Sequence, residues 1–125
     1  MKNIAQQILR LLIYMVLLTP TMLLAQPICQ IQHFSIYNGL VQRTVSDIVQ
    51  DSKGFIWFST WNGLNRYDGY TFKNYKAYPG DGCTLTSNRI LRIVPDQQNN
   101  IWCQTYDARV YLFDSHQEKF IDILQ

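Results

Sequence analysis

Long apolar runs are scarce in this chain of 125 residues. There is one, Leu11 to Leu24, and it is broken by Thr19, Pro20 and Thr21. It is short for a membrane span, and nothing like it recurs downstream. Lys2 and Arg10 stand ahead of it, and Ala25 closes it before Gln26 and Pro27. This layout is that of a secretory signal peptide cut after Ala25, with a retained membrane anchor as the alternative. Gln26, Pro27 and Ile28 make a poor lipobox before Cys29, so a lipoprotein is disfavoured.

An excess of charge of one sign is also missing. The chain holds 11 Lys or Arg against 9 Asp or Glu. Removing Lys2 and Arg10 with the leader leaves the two signs equal. A domain so balanced has no electrostatic footprint for nucleic acid or anionic lipid. Cysteine is sparse and odd in number, at Cys29, Cys83 and Cys103, with no CxxC pair, which argues against a disulfide framework. A bridge between Cys29 and Cys83 has no spacing argument behind it. Cys103 follows Trp102 inside a strand pattern and reads as a small buried apolar residue.

Only two histidines occur, His33 and His116, and neither has a Cys, Asp or Glu at metal-ligand spacing on a shared element. Gly-rich phosphate loops and nucleophile elbows are absent. Asp51 and Asp96 fall in turns, where capping the backbone is the expected role. Neither a catalytic site nor a cofactor is predicted, and sustained helical periodicity is found nowhere after the leader.

What the chain does have is short strands and tight turns. Asp51 to Phe72 reads DSKGFIWFSTWNGLNRYDGYTF. Asp51 to Gly54 predicts a turn, and Phe55 to Thr60 a strand. Phe55 and Trp57 point to one face of that strand, Ile56 and Phe58 to the other, so both faces need cover. Asn62-Gly63 and Asp68-Gly69 are hairpin signals flanking a short Leu64–Tyr67 strand. With Val45 to Gln50 before it and Tyr70 to Tyr75 after it, the segment forms a four-stranded antiparallel meander. Two apolar faces on such a meander are what one blade of a β-propeller requires.

The pattern then returns. Ile48, Asp51, Ile56, Trp57 and Thr60 are matched by Ile93, Asp96, Ile101, Trp102 and Thr105, each 45 residues on. Asn99 stands for Gly54, and Asn is the next best residue at positive φ. Tyr67-Asp68 matches Phe113-Asp114 with one extra residue, and Phe72 matches Phe120. A repeat of this length carrying four strands belongs to propellers. The predicted strands lie near 45–50, 55–60, 64–67 and 70–75, then 90–94, 100–105, 109–113 and 118–123. The predicted organisation is a signal peptide at 1–25, a lead-in strand and loop at 26–44, a first blade at 45–78 and a second at 79–125. His33 to Ile36 is the lead-in strand candidate. Trp57 and Trp102 are expected to pack between blades. With two blades only, Phe55, Ile56, Trp57, Phe58 or their equivalents are expected to be exposed on the outer sides.

Ser46 to Thr60 (SDIVQDSKGFIWFST), continuing to Tyr67, and Leu85 to Thr105 (LTSNRILRIVPDQQNNIWCQT) resemble the two-component regulator propeller repeat. Phe34 to Leu40 (FSIYNGL) is similar to the opening repeat of such sensors, and Asn65 to Gly69 (NRYDG) to the usual continuation of that blade. The second repeat departs from the pattern at Asn99, Cys103 and Tyr106 to Ala108. The resemblance implies an all-β fold: two four-stranded blades of an incomplete propeller after a signal peptide helix. It implies a periplasmic sensory segment of a truncated hybrid sensor histidine kinase, the parent receptor sitting in the inner membrane and responding to oligosaccharide. Implied partners are the oligosaccharide and further blades or a second copy of the chain, with the membrane met only through a parent receptor or an uncleaved leader. An extracytoplasmic propeller enzyme such as a lyase is the alternative.

In an up-and-down blade, the loop after the second strand and the link to the next blade open at one end. That end collects Tyr37, Trp61, Asn62, Tyr78, Asp81, Tyr106 and Asp107. Aromatic rings beside carboxylates and amides suit sugars: the ring stacks on C–H groups while polar atoms bind hydroxyls. These residues could instead pack or cap their own loops. Trp61 is the sharpest candidate, because a large ring at a tight turn is hard to bury within one blade.

Overall fold

The computed structural model describes residues 2–17, 30–78 and 85–123. The chain divides into two compact units, 1–31 and 32–125. In the first, Lys2–Leu17 forms helix α1, exposed over residues 3–16. No helix among the described residues is long and apolar enough to cross a membrane. The cut expected after Ala25 and the pairing considered for Cys29 and Cys83 lie outside the described residues.

The second unit holds two four-stranded antiparallel sheets, each a meander in sequence order. The first comprises β1 (Val45–Gln50), β2 (Ile56–Thr60), β3 (Gly63–Tyr67) and β4 (Phe72–Tyr75). The second comprises β5 (Ile90–Pro95), β6 (Ile101–Thr105), β7 (Val110–Asp114) and β8 (Lys119–Asp122). The eight strands fall within about two residues of their predicted bounds, and the repeat extends to the backbone irregularities. A register shift between Val45 and Asp47 recurs between Ile90 and Arg92.

Turn chemistry closes each meander. Asp51 Oδ1 accepts the Lys53 and Phe55 amides at 2.9 and 3.0 Å. Asp96 Oδ1 accepts those of Gln98 and Asn100 at 2.9 and 2.8 Å. Gly54 at φ 88° and Asn99 at φ 65° both take the left-handed conformation, the substitution that the sequence pattern implies. Asp51 is itself buried, and its Oδ2 accepts the Trp57 indole N–H at 2.9 Å. A buried carboxylate is tolerable because its oxygens meet three donors.

The core lies between the two sheets. Trp57 and Leu64 of the first blade meet Ile90, Ile93, Ile101, Cys103, Tyr111 and Phe113 of the second. The Trp57 and Phe113 rings stand 5.6 Å apart at 63°. Polar links flank this core: Asp47 Oδ2 accepts the Ile93 amide at 3.1 Å, and the Ser52 hydroxyl donates to Asn99 Oδ1 at 2.5 Å. A third link joins β4 to the β7–β8 turn. There Glu118 accepts from Lys73 Nζ at 2.5 Å and from the Tyr75 hydroxyl at 3.0 Å.

Two expectations need correction. Residues 33–36 form no strand. Ser35 caps a 3-10 turn over Ile36–Asn38, because its hydroxyl accepts the Tyr37 amide and Asn38 closes the box. This lead-in segment lies over the outer face of the first blade. Phe34 meets Phe58, Tyr67 and Phe72 edge-on at 6.0, 4.8 and 5.3 Å, and Leu40 is buried with them. Asn65 Oδ1 accepts the Val41 amide at 2.9 Å, and Asn74 Nδ2 donates to the Gly39 carbonyl at 3.1 Å. Phe58 and Trp57 are therefore both buried, Trp57 between the blades as expected. Trp102, expected to pack between blades as well, does not: it is the second-blade equivalent left on the outer side, 38% exposed against 0% for Trp57.

Candidate ligand face

Meander order sends the β2–β3 turn, the β6–β7 turn and the β4–β5 link to the same end of the sheets. Backbone hydrogen bonds tie them together. Trp61 N donates to the Thr44 carbonyl at 3.3 Å, and Tyr106 N to the Arg89 carbonyl at 2.9 Å. These pairs are repeat mates, each displaced by 45 residues. Gly63 N donates to the Asn88 carbonyl at 2.7 Å, so the consecutive carbonyls of Asn88 and Arg89 anchor one turn from each blade. Gly63 has φ 115°, and a Cβ there would lie 2.4 Å from the Tyr75 carbonyl oxygen. Only glycine lets the Trp61-Asn62 turn approach the end of β4 this closely.

Trp61 and Tyr106 stay exposed at 46% and 64%. The Arg89 guanidinium carbon lies 4.2 Å from the Trp61 ring centroid and 4.6 Å from that of Tyr106. The cation brings together two rings that sequence position separates, at distances where the ring quadrupoles attract it. Asn62 is half-buried and its amide N–H is accepted by Thr60 Oγ1 at 3.1 Å. Asp107 is engaged on both oxygens: Thr105 donates to Oδ1 at 2.5 Å and Thr86 to Oδ2 at 2.8 Å. These hydroxyls, Thr105 first, hold its carboxyl below the usual carboxylate range. Asp107 thus fastens its own turn to the link.

Tyr78 is exposed, with Lys76 Nζ 4.8 Å from its ring centroid. Its neighbour Ala77 is clamped by Asn88, whose amide accepts from Ala77 N at 2.7 Å and donates to its carbonyl at 2.9 Å. Asp81 lies outside the described residues. Tyr37 is exposed, but its turn is held on β4 through Gly39, whose built Cβ would sit 3.3 Å from Phe72 Cβ. That places it toward the opposite end of the strand from Tyr75. The structure therefore groups Trp61, Asn62, Tyr106 and Asp107, carries Tyr78 alongside, and leaves Tyr37 apart. Arg89 was missed because it lies in the link, where composition suggests only a loop. Its signal is the repeat itself, since the position 45 residues earlier is Thr44.

Among the described residues no cluster of His, Cys, Asp or Glu has the make-up to hold a metal ion. Cys103 is a buried free thiol, its ionisation pushed well up by burial.

Two consecutive meanders packed face to face, with the same bulge and the same turn in each, define the class: these are β-propeller blades. A family model described as two component regulator propeller matches residues 39–62 and 84–107, segments displaced by the same 45 residues. Two segments of the chain thus match the two-component regulator propeller repeat. Over 53 residues it is 43% identical to histidine kinase P4 of Formosa agariphila, an alignment covering 42% of this chain and 4% of that protein. The extracellular domain of a putative hybrid two component system from B. thetaiotaomicron superposes with a TM-score of 0.64 at 31% identity, over 73% of this chain and 13% of that one. The chain thus spans a small part of the length of each.

Proposed function

We propose that this chain supplies blades to the extracytoplasmic sensor of a hybrid two-component histidine kinase, exported by a signal peptide at 1–25. On this reading its part is recognition, and phosphoryl chemistry belongs to other domains of the receptor. Blades at 45–78 and 79–125 follow the lead-in at 26–44, and the ligand is an oligosaccharide met at the end carrying Trp61, Asn62, Tyr78, Tyr106 and Asp107. The observation that carries the reading is the pairing of two exposed rings, Trp61 and Tyr106, on adjacent blades at one end. Ring faces bind the C–H surface of a pyranose, and amide and hydroxyl groups beside them bind its hydroxyls. The relatives, a histidine kinase and the extracellular domain of a hybrid system, agree in kind.

The test places the chain in its receptor and titrates neutral and acidic oligosaccharides against the wild type and Trp61→Ala. A loss of about tenfold in affinity, roughly 1.4 kcal/mol, with the circular dichroism unchanged, is the expected result. Equal affinities for the two proteins would remove Trp61 from the face.

A further inference from the structure

Arg89 has features that a packing joint does not require. The backbone task at its position is to accept the amide of the residue that opens the β6–β7 turn. The first blade performs the same task with Thr44, whose carbonyl accepts the Trp61 amide. The fold thus needs a carbonyl at this place and no guanidinium. The second blade nevertheless carries one, half-buried, with the Trp61 and Tyr106 rings against its central carbon at 4.2 and 4.6 Å. These contacts hold the guanidinium carbon over both rings while its N–H groups remain donors. Among the described residues no carboxylate is paired with those groups. Asp107, the carboxylate of the β6–β7 turn, has both oxygens engaged by Thr105 and Thr86. The cation of the β6–β7 turn, Arg109, is paired with Asp122 at 3.6 Å.

A planar guanidinium with its donor edge unspent, set between two exposed rings, matches an oxyanion attached to a ring-shaped ligand. We propose that Arg89 makes this face selective for acidic oligosaccharides, its N–H groups binding a carboxylate or sulfate while Trp61 and Tyr106 take the sugar faces. The proposal rests on the oligosaccharide reading above and adds the charge of the ligand and the residue that selects it. Because the rings already order the guanidinium, little side-chain freedom is lost on binding, which favours the charged ligand further.

Isothermal titration of the full chain with three tetrasaccharides tests this: an oligogalacturonate, a sulfated galactan fragment and neutral xylotetraose. At least one acidic probe should bind roughly ten- to a hundredfold more tightly than the neutral one, with an affinity that falls as salt rises. Arg89→Thr, the residue the first repeat carries, should erase that preference, weakening the acidic probes more than the neutral one. Arg89→Lys keeps the charge, loses the fork and should retain only part of the preference. Which acidic probe responds tells carboxylate from sulfate. Acidic and neutral probes binding alike, or Arg89→Thr leaving the preference intact, would overturn the assignment. Trp61→Ala separates the two readings. If it weakens every probe while Arg89→Thr weakens none, the aromatic face stands and the role of Arg89 falls. If no probe binds the wild type, both readings fall.

Discussion

At the scale of single residues, two positions, Asp51 and Gly63, make demands that few other side chains meet. Asp51 is buried and satisfies two turn amides and the Trp57 indole. Asp51→Ala leaves those donors without a partner and should lower unfolding free energy by about 2–3 kcal/mol in urea titration. Gly63→Ala drives a methyl toward the Tyr75 carbonyl at positive φ and should cost at least about 1–3 kcal/mol in the same measurement. Cys103 is fully buried and held as a thiol, so it should react with a thiol reagent only once the blades unfold. The roles of Asp51, Asp96, Asn99 and Cys103 were legible because each depends on local chemistry: a turn acceptor, a left-handed backbone, a strand interior. Arg89 was not, because its setting is made by two rings 28 residues before and 17 after it in the sequence.

Strands and turns carry the next level. Periodicity of two, Asn-Gly and Asp-Gly turns and the 45-residue return were enough to place all eight strands. One local signal failed. His33 to Ile36 alternates as a strand would, yet Ser35 and Asn38 form a capping box that bends the chain into a 3-10 turn. That bend lets Phe34 and Leu40 lie on the first blade, a contact that short-range pattern cannot report. The blade-to-blade link at Glu118 was also invisible, since it joins the β7–β8 turn to Lys73 and Tyr75 more than forty residues away. Lys73 and Tyr75, as donors, hold the Glu118 carboxyl below its ordinary value of 4.5. A depressed carboxylate contributes stability above its unfolded pKa and loses it as pH falls through the folded one. Glu118→Gln should therefore be less stable than the wild type near neutrality, by about 1 kcal/mol at most for a partly exposed pair. The gap should close in strongly acid solution, and thermal melts of the two proteins across that range would show it.

For the molecule as a whole, the two blades are equal in sequence pattern and unequal in cover. Across the first sheet one row runs Val49, Trp57, Arg66 and Lys73, and the second blade packs on it. The matching row of the second sheet runs Val94, Trp102, Leu112 and Ile121. It is more apolar than its mate, with Val94 60%, Trp102 38% and Ile121 42% exposed. Repeats of this kind bury each apolar face under the next unit. The first blade's opposite face escapes exposure because the lead-in segment covers it; the Trp102 face has no such cover among the described residues. Sequence could not distinguish Trp57 from Trp102, because burial belongs to the neighbour and not to the residue. In solution the chain should bury this row against a second copy, giving a sedimentation coefficient that rises with concentration. The double variant Leu112→Arg and Ile121→Lys gives the row the two cations its mate carries at Arg66 and Lys73. It should shift sedimentation toward the monomer without loss of the strand signal in circular dichroism. Association unchanged in that variant would place the contact elsewhere on the molecule.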